Sequence, residues 1–508
     1  MDCSQIRELE KIYLPDTGYD LMRYAAGAIY DKIKELNLDR KRQILVFAGS
    51  GNNGGDGYEI AASFMSDGYD DVTVVRVVPQ KEGIDANLAR RHYLDNNGRE
   101  IGFENVSEAV SYVSDGAVIV DAVLGIGITS CGDSPNALKI RDAVRLVNSL
   151  RAEKRLLVLS VDIPSLLNAD NGMPVGGEAV MADYTYTVFT AKTGTLTGRA
   201  KDYCGTVKVV GNTLPDFEDN LMRIRDGGVL RHFVSYGDIL PLLPKRNNCA
   251  HKGTAGRVLL VGGSKGMTGA LILASLAALR SGAGLITSLA LSGDMTAFNA
   301  VNPCIMTAGT EDLEEKLKSA GAVLIGPGMG RKAQAETIFK KCIMSTSPKV
   351  IDADGLYHLH AVHAVADEGP VRSVLTPHVG EAAMLCDVHA SEIEADSVGA
   401  ALEIARKYRA VCVLKSASTV IATPDGKTYL TSTGCSGMAG GGMGDLLSGI
   451  ITALLGQGLS PVEAAVSGVL IHGEAGRCDA AANGNIGMCA TDLLPYVRLL
   501  VNGISPRN

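Results

Sequence analysis

The chain has 508 residues, 46% of them hydrophobic and 20% charged, with a net charge of −8 at pH 7. This length predicts about two to four domains with sizeable cores, and the acidic balance argues against a nucleic-acid partner. There is no CxxC pair, no apolar run of about 18 residues and no secretory signal at the N-terminus, so we expect a cytoplasmic protein without a zinc site or a membrane partner.

The first half of the chain alternates apolar, strand-like runs with turns rich in Gly, Asn and Asp. Helical spacing over residues 1–40 precedes a buried run at 44–48 and the turn GSGNNGGDG. Further apolar runs lie at 72–78, 118–120 and 156–161. Alternation of this kind predicts an α/β fold, a parallel sheet with helices on both faces.

Polar side chains follow several of these predicted strands at the point where each strand ends. The carboxyl ends of parallel strands meet at one edge of a sheet, where α/β proteins bind ligands. Each such residue alone is more often a turn former, but together they indicate a site. Three of them offer only oxygen ligands, which suits a hard cation. The residues are Asn52, Asn53, Asp56, Asp121, Asp162 and Ser165, of which Asn53, Asp121 and Ser165 are the candidate cation ligands.

These turns, with LMRYAAG at 21–27 and ADYTYTVFTAKTG at 182–194, resemble the YjeF N-terminal family of NAD(P)H-hydrate epimerases. The resemblance implies a Rossmann-like, three-layer α/β/α domain at 1–228 that equilibrates the R and S hydrates at C6 of the nicotinamide ring. It also implies that Asp162 is the catalytic acid or base and that Asn53, Asp121 and Ser165 hold K⁺. The implied hydrate site comprises Asn52, Asn53, Gly54, Gly55, Asp56, Gly125, Ile126, Gly127, Ile128, Thr129, Ser130, Cys131 and Asp162.

One departure from that family concerns Leu166, which stands where a glycine is usual. If the position needs a positive φ or close approach of a ligand, leucine would strain the backbone or block the site. We therefore expect the fold to be kept and epimerase activity to be affected.

A second α/β pattern begins near Arg257, after a segment of mixed Pro, Asp, Arg and Asn that we interpret as a connector at 229–244. Its most distinctive stretch is TGCSGMAGGGMGDLLSG at 433–449. Apolar residues at helical spacing follow Asp445, so a glycine-rich turn leads into a helix. The first amides of a helix favour an anion, and a carboxylate beside an anion site suggests a general base. The alternative is that Asp445 is only a helix N-cap.

Six ordered motifs in this half resemble the NAD(P)H-hydrate dehydratase family, which is ribokinase-like, over residues 245–508. They are HKGTAGRVLLVGGSKGMTGA, IGPGMG, IDADGL, LTPHVGE, LKSAST and GGGMGD. The resemblance implies that Asp445 removes the proton from the C6 hydroxyl of the hydrate, which is phosphorylated and leaves as phosphate. ADP is the expected donor, with ATP the alternative, because fusion of the two domains suggests a prokaryotic enzyme; Mg²⁺ would bridge the phosphates.

The same resemblance implies three sets of binding residues in this half. Ala270, Gly328, His378 and Asp445 would contact the hydrate; Gly442, Met443 and Gly444 would form the anion hole; and Lys415, Ser416, Ala417, Ser418, Thr419 and Gly444 would contact ADP. Two of these have ordinary alternatives, because His378 could be a turn residue and Lys415 a strand-end lysine that reaches solvent.

Because it carries both sets of motifs, the chain resembles the family of fused, bifunctional NAD(P)H-hydrate repair enzymes. The resemblance implies that its substrates are the hydrates of NADH and NADPH (NADHX and NADPHX). The alternative is a vitamin or sugar kinase of the same superfamily with a non-catalytic N-terminal domain that senses a nucleotide. We also expect a homo-oligomer.

Overall fold

The computed structural model describes residues 1–13, 18–79, 85–105, 113–226, 231–253 and 255–505. The chain divides into two compact units, Met1–Gly228 and Val229–Asn508. Within the described ranges, no helix combines the length and the apolar character that crossing a bilayer requires.

The first unit alternates strands and helices. Its strands are β1 (Ile44–Ala48), β2 (Val72–Arg76), β3 (Arg99–Gly102), β4 (Val118–Ala122), β5 (Leu157–Val161), β6 (Tyr184–Val188) and β7 (Thr206–Val210). Its helices are α1 (Cys3–Tyr13), α2 (Gly18–Lys34), α3 (Asn52–Ser66), α4 (Asp85–Asp95), α5 (Pro135–Glu153), α6 (Ala200–Tyr203) and α7 (Phe217–Asp226).

These strands form one seven-stranded parallel sheet in the order β3-β2-β1-β4-β5-β6-β7. Side chains of β1 alternate between two hydrophobic clusters, with Val46 in one and Leu45 and Phe47 in the other. Helices therefore cover both faces, as the sequence predicts. Strand order reverses beside β1, so the loops after β1 and β4 diverge and leave a crevice between them.

The second unit contains a larger mixed sheet. Its strands are β8 (Arg231–Phe233), β9 (Arg257–Gly262), β10 (Leu285–Ala290), β11 (Ile305–Ala308), β12 (Ala322–Ile325), β13 (Lys349–Ile351), β14 (Ser373–Leu375), β15 (Val411–Leu414), β16 (Val420–Ala422) and β17 (Thr428–Leu430). Its helices are α8 (Tyr236–Ile239), α9 (Thr268–Arg280), α10 (Thr296–Val301), α11 (Leu313–Ser319), α12 (Ala333–Ile343), α13 (Asp354–Ala361), α14 (Val379–Cys386), α15 (Ala390–Ala395), α16 (Ser397–Tyr408), α17 (Met443–Gly456), α18 (Pro461–Asn483) and α19 (Leu494–Leu500).

The sheet has ten strands in the order β11-β10-β9-β12-β13-β14-β15-β16-β17-β8. Strands β9 to β15 run parallel, whereas β16 is antiparallel to both β15 and β17. Its reversal of strand order lies between β9 and β12, so a second crevice opens at their carboxyl ends.

The described part of the predicted connector, residues 231–244, is an integral part of the second unit. Its strand β8 pairs in parallel with β17, and Ile239 and Leu243 are buried in the core of the second unit. Mixed polar composition concealed this role because a strand of three residues carries almost no periodicity.

The helix after the glycine-rich turn packs as its spacing predicts. Its apolar side chains Leu446, Leu447, Ile450, Ile451, Leu454 and Leu455 are all buried. A Cβ at Gly449 would lie 2.3 Å from the carbonyl oxygen of Ala274, so α17 approaches α9 at a distance that only glycine permits. This packing holds the first turn of α17 beside the second crevice.

Candidate active sites

The crevice of the first unit is a cavity of about 690 Å³ at the ends of β1, β4 and β5. Most of the predicted hydrate-binding residues lie in its wall. They are Asn52, Asn53, Asp56, Gly125, Ile126, Gly127, Ile128, Thr129, Ser130 and Asp162.

Three predicted residues do not line this cavity. A Cβ at Gly54 would lie 2.1 Å from the oxygen of Gly49, and one at Gly55 would lie 2.4 Å from the sulfur of Met22, so packing requires both glycines. Cys131 packs against the hydrophobic core. Sequence spacing could not separate wall residues from packing residues within one glycine-rich turn.

Asp162 is held by a lysine whose role the sequence reasoning missed. The backbone of Asp162 is left-handed, with φ 67°, and Oδ1 of Asp162 accepts a 3.0 Å hydrogen bond from the amide of Val188. The ammonium of Lys192 forms an ion pair with the same oxygen and donates to the carbonyl of Val188 at 2.8 Å. Lys192 is 1% exposed, so the Asp162 carboxylate has a buried counter-charge.

Three more acids share the cavity wall with Asp162: Glu10, Asp56 and Asp85. Burial and the charge of Asp162 raise the pKa of Glu10, and burial with the charges of Asp162 and Glu10 raises the pKa of Asp56 well above its ordinary value. The site therefore combines a lysine-paired carboxylate with carboxyls that retain protons more readily than in water. Glu10 lies on α1, far from the motifs, and no pattern in the sequence marks it.

Two of the predicted cation ligands, Asn53 and Ser165, bond the backbone of Leu124, and Ser165 also bonds the third, Asp121. Asn53 donates to the oxygen of Leu124 at 2.9 Å, and the amide of Leu124 donates to Oγ of Ser165 at 2.9 Å. Asp121 accepts from the Ser165 amide at 2.8 Å, from its hydroxyl at 2.5 Å and from Ser160 Oγ at 2.9 Å. Asp121 is fully buried and these donors are neutral, so burial raises its pKa. A buried carboxylate next to serine hydroxyl oxygens is a ligand set that fits a hard cation.

Leu166 has φ 68°, so this position does need the left-handed backbone that glycine adopts freely. The side chain is 2% exposed, belongs to the hydrophobic core and is not part of the cavity wall. Leucine therefore strains the backbone but does not fill the crevice.

Replacing Leu166 by glycine is expected to lower the free energy of unfolding by about 1–4 kcal/mol and to leave epimerisation within a few-fold of the unmodified rate. Loss of a buried leucine costs about 2–5 kcal/mol, and relief of the positive φ returns about 1 kcal/mol. Denaturant unfolding and an epimer-exchange assay measure the two effects. The control is Leu167→Gly, at a buried neighbour without positive φ, which is expected to lose more stability. Equal losses would contradict the strain argument.

The second site is built on the N-terminus of α17. Gly442 is the N-cap, with φ 86°, and Asp445 lies inside the first turn, so the simple N-cap alternative for Asp445 is wrong. No side chain caps this helix, and within the described residues no acceptor bonds the amides of Met443, Gly444 and Asp445. Free amides at a helix start form an anion site.

Asp445 faces a cluster of three charged side chains: Asp352 follows β13, Lys415 follows β15, and Glu381 lies on α14. Lys415 Nζ lies 2.8 Å from Oδ1 of Asp352 and 3.9 Å from Oε2 of Glu381. Burial and the charges of Asp352 and Glu381, opposed by Lys415, raise the pKa of Asp445 to about 7. A carboxylate with this pKa is suited to accept a proton at neutral pH. Asp352 and Glu381 stand in the motifs IDADGL and LTPHVGE, but the sequence reasoning gave neither a role.

His378 caps α14. Its Nδ1 accepts from the amides of Gly380 at 3.0 Å and Glu381 at 3.2 Å, while its own amide donates to Oε2 of Glu381 at 2.8 Å. This capping box is the turn role considered as the alternative. The ring is 60% exposed, so contact with a hydrate stays a prediction.

Gly328 and Ala270 lie on segments that follow β12 and β9, and their contact with a hydrate stays a prediction. Gly328 follows β12, has φ 57°, and accepts from the Ser264 amide at 2.7 Å. A Cβ there would lie 2.4 Å from the oxygen of Met267, so the loops after β9 and β12 touch through a glycine. Ala270 is in the first turn of α9 in the same region.

The predicted ADP contacts at 415–419 form the turn between β15 and β16. The hydroxyl of Ser416 donates to the carbonyl of Ser418 at 2.7 Å, and that of Thr419 donates to the carbonyl of Ser416 at 3.3 Å. The two hydroxyls therefore stabilise the turn itself. Lys415 is not a solvent-reaching lysine, because its ammonium is paired inside the charged cluster. Ala417 is exposed in the same turn.

Comparisons with known proteins agree over both units. Residues 18–194 match the family profile described as YjeF-related protein N-terminus, and residues 258–498 match the one described as NAD(P)H-hydrate dehydratase. The second unit resembles a ribokinase-like superfamily protein of Enterococcus faecalis, with a TM-score of 0.50 and 28% identity, over 54% of this chain and 97% of that one.

Curated relatives match almost the whole chain. A bifunctional NAD(P)H-hydrate repair enzyme of Coxiella burnetii is 35% identical over 98% of both chains, and one of Escherichia coli is 36% identical over 96% of this chain and 90% of its own. One of Leishmania major is 33% identical over 96% and 90%, so fusion of the two domains is not confined to prokaryotes and does not by itself favour ADP. The kinase alternative is not favoured, since these relatives match both units. The chain belongs to the family of bifunctional NAD(P)H-hydrate repair enzymes.

Proposed function

We propose that the first unit interconverts the R and S hydrates of NADH and NADPH, and that the second unit returns the S hydrate to the reduced dinucleotide with ADP, or ATP, as phosphoryl donor. The observation that carries the second activity is Asp445, a half-buried carboxylate with a pKa of about 7 beside the free amides that begin α17. A base and an anion site at one point suit transfer of a phosphoryl group to a hydroxyl.

Dehydration follows from this arrangement. Asp445 accepts the proton of the C6 hydroxyl as the phosphoryl group arrives. The amides of Gly442, Met443 and Gly444 are proposed to bind the transferred group, and Lys415 adds positive charge within reach of the same helix end. Phosphate is a far better leaving group than hydroxide, so the ring nitrogen can expel it.

Magnesium would neutralise charge on the phosphates of the donor. The carboxylates nearest to Asp445 fit this role poorly as direct ligands, because both Asp352 and Glu381 face the ammonium of Lys415. The phosphate oxygens of the donor are therefore proposed as the main magnesium ligands.

In the first unit, Asp162 is proposed to exchange a proton with the hydrate, with Lys192 stabilising its charged form and Asp56 available as a proton donor. Asn53, Asp121 and Ser165 are proposed to hold potassium. The contacts of Asn53 and Ser165 with Leu124 would then fix the loop that supplies Gly125 to Ser130 of the cavity wall.

The experiment that tests the function supplies mixed R and S hydrates with magnesium, potassium and either ADP or ATP. Recovery of reduced-nicotinamide absorbance is expected to be complete, since epimerisation feeds the S form. Recovery that stops at the S fraction would refute activity of the first unit, and no recovery with either nucleotide would refute the proposal for the second.

Dehydration is expected to slow as pH falls through about 7. Asp445 must be ionised to accept a proton, and its pKa of about 7 means that protonation removes the base below that pH. The slope should approach tenfold per pH unit in kcat/KM, measured between pH 5 and 9 with the S hydrate. A value of kcat/KM that stays constant down to pH 5 would mean that the cluster does not raise the pKa of the base.

A further inference from the structure

Asp352 is the best-defined charged residue of the second site to which neither the family motifs nor the proposed function gives a role. It follows β13 directly and is 1% exposed. Its Oδ1 lies 2.8 Å from the ammonium of Lys415. A carboxylate this deeply buried persists where a cation compensates its charge, so the two side chains fix each other.

The pair is aimed at the start of α17. A Cβ placed on Gly444 would lie 3.2 Å from Lys415 Nζ and 3.9 Å from Oδ2 of Asp352. The ammonium is therefore beside the anion-binding turn, and the lack of a side chain at Gly444 leaves room for it. Lys415 also interacts with Asp445, one residue further along the helix.

Other titratable groups face the same point from each neighbouring element. Glu381 reaches Lys415 from α14 at 3.9 Å, and His472 on α18 is buried near Lys415. Burial lowers the pKa of His472 to about 4, so this ring is neutral at neutral pH. Lys415 is thus the cation around which Asp352, Glu381 and Asp445 are arranged.

We propose that Asp352 is a positioning residue for dehydration: it holds the Lys415 ammonium at the phosphate-binding turn and keeps it from pairing with Asp445. This inference rests on the proposed function. A lysine that paired with Asp445 would stabilise the ionised carboxylate and make it a poorer base. Because Asp352 pairs with Lys415, the lysine can bind the phosphate while Asp445 remains basic.

The test is Asp352→Asn, measured as the pH dependence of dehydration. The variant is expected to lose about 10- to 100-fold in kcat at neutral pH, and the acid limb of its kcat/KM profile is expected to move down by about one pH unit or more. Both effects follow because the substitution removes the negative charge of Asp352 from the surroundings of Asp445, and because Lys415, freed from Asp352, turns toward Asp445. A residue that only supports the fold would lower kcat without moving the acid limb.

The matched control is Asp367→Asn. Asp367 forms a buried ion pair with Lys349, 3.6 Å apart, and Lys349 begins the same strand β13. This control removes a comparable buried charge away from the catalytic cluster, and it is expected to lower thermal stability and leave the acid limb in place. A shift of similar size in the control would overturn the inference.

A second variant covers the case in which Asp352→Asn does not fold. Asp352→Glu keeps the charge but moves the carboxylate by one methylene, so kcat is expected to fall at least about tenfold with the acid limb unchanged. A kcat for this variant equal to that of the unmodified protein would overturn the positioning role. No turnover in the unmodified protein would instead remove the proposed function, so the two failures are distinguishable.

Discussion

Replacing Asp445 by asparagine is expected to lower kcat for dehydration by about 10²- to 10⁴-fold, because the amide cannot accept the C6 hydroxyl proton. Asparagine keeps the shape of the side chain and removes only its basicity. Recovery of reduced-nicotinamide absorbance from purified S hydrate, with saturating nucleotide and magnesium, measures the effect.

Epimer exchange in the same preparation is the internal control for Asp445→Asn, since the first unit contains none of the residues around α17. That rate is expected to be unchanged. Dehydration within about threefold of the unmodified rate would exclude Asp445 as the general base and would leave the free amides of α17 as the main catalytic feature.

Replacing Lys192 by methionine is expected to lower epimerisation by about 100-fold or more and the free energy of unfolding of the first unit by about 3 kcal/mol. The methionine fills much of the same volume but leaves the Asp162 carboxylate without its counter-charge, near Glu10 and Asp56. Chemical denaturation followed by a probe in the first unit, together with epimer exchange, measures both.

Two further variants test the cause of that loss. Asp162→Asn combined with Lys192→Met removes both charges and is expected to restore most of the stability but none of the activity. Lys349→Met removes another buried lysine, in the second unit, and is expected to leave epimerisation intact. A double variant as unstable as Lys192→Met alone would show that packing, and not charge, explains the loss.

Much of the fold could be predicted from local patterns. Strand β1 has the predicted bounds, and the ends of strands β2, β4 and β5 lie within two residues of the predicted ones, because apolar runs bounded by turns are local signals. The reversal points of both sheets then bring the predicted turns together without further information.

The unpredicted parts depend on contacts between distant residues. Lys192 reaches Asp162, and Asp352 reaches Lys415, only after the strands are aligned, so no spacing in the chain marks them. The wall residues Asn53 and Asp56 flank the packing glycines Gly54 and Gly55 within a single helical turn. The sequence alone does not show which of these residues face the cavity. Leu166 was recognised as unusual, but its burial in the core, away from the cavity, required the structure.

The pairing of β8 with β17 has a consequence for how the protein is made. The two strands are nearly 200 residues apart, so at about 5–20 residues per second a ribosome takes roughly 10–40 s to deliver the partner of β8. When β17 emerges, β16 and β8 have both already been synthesised. The open side of β17 can therefore be closed by its own chain at once, which limits the time in which another nascent chain could add to that edge.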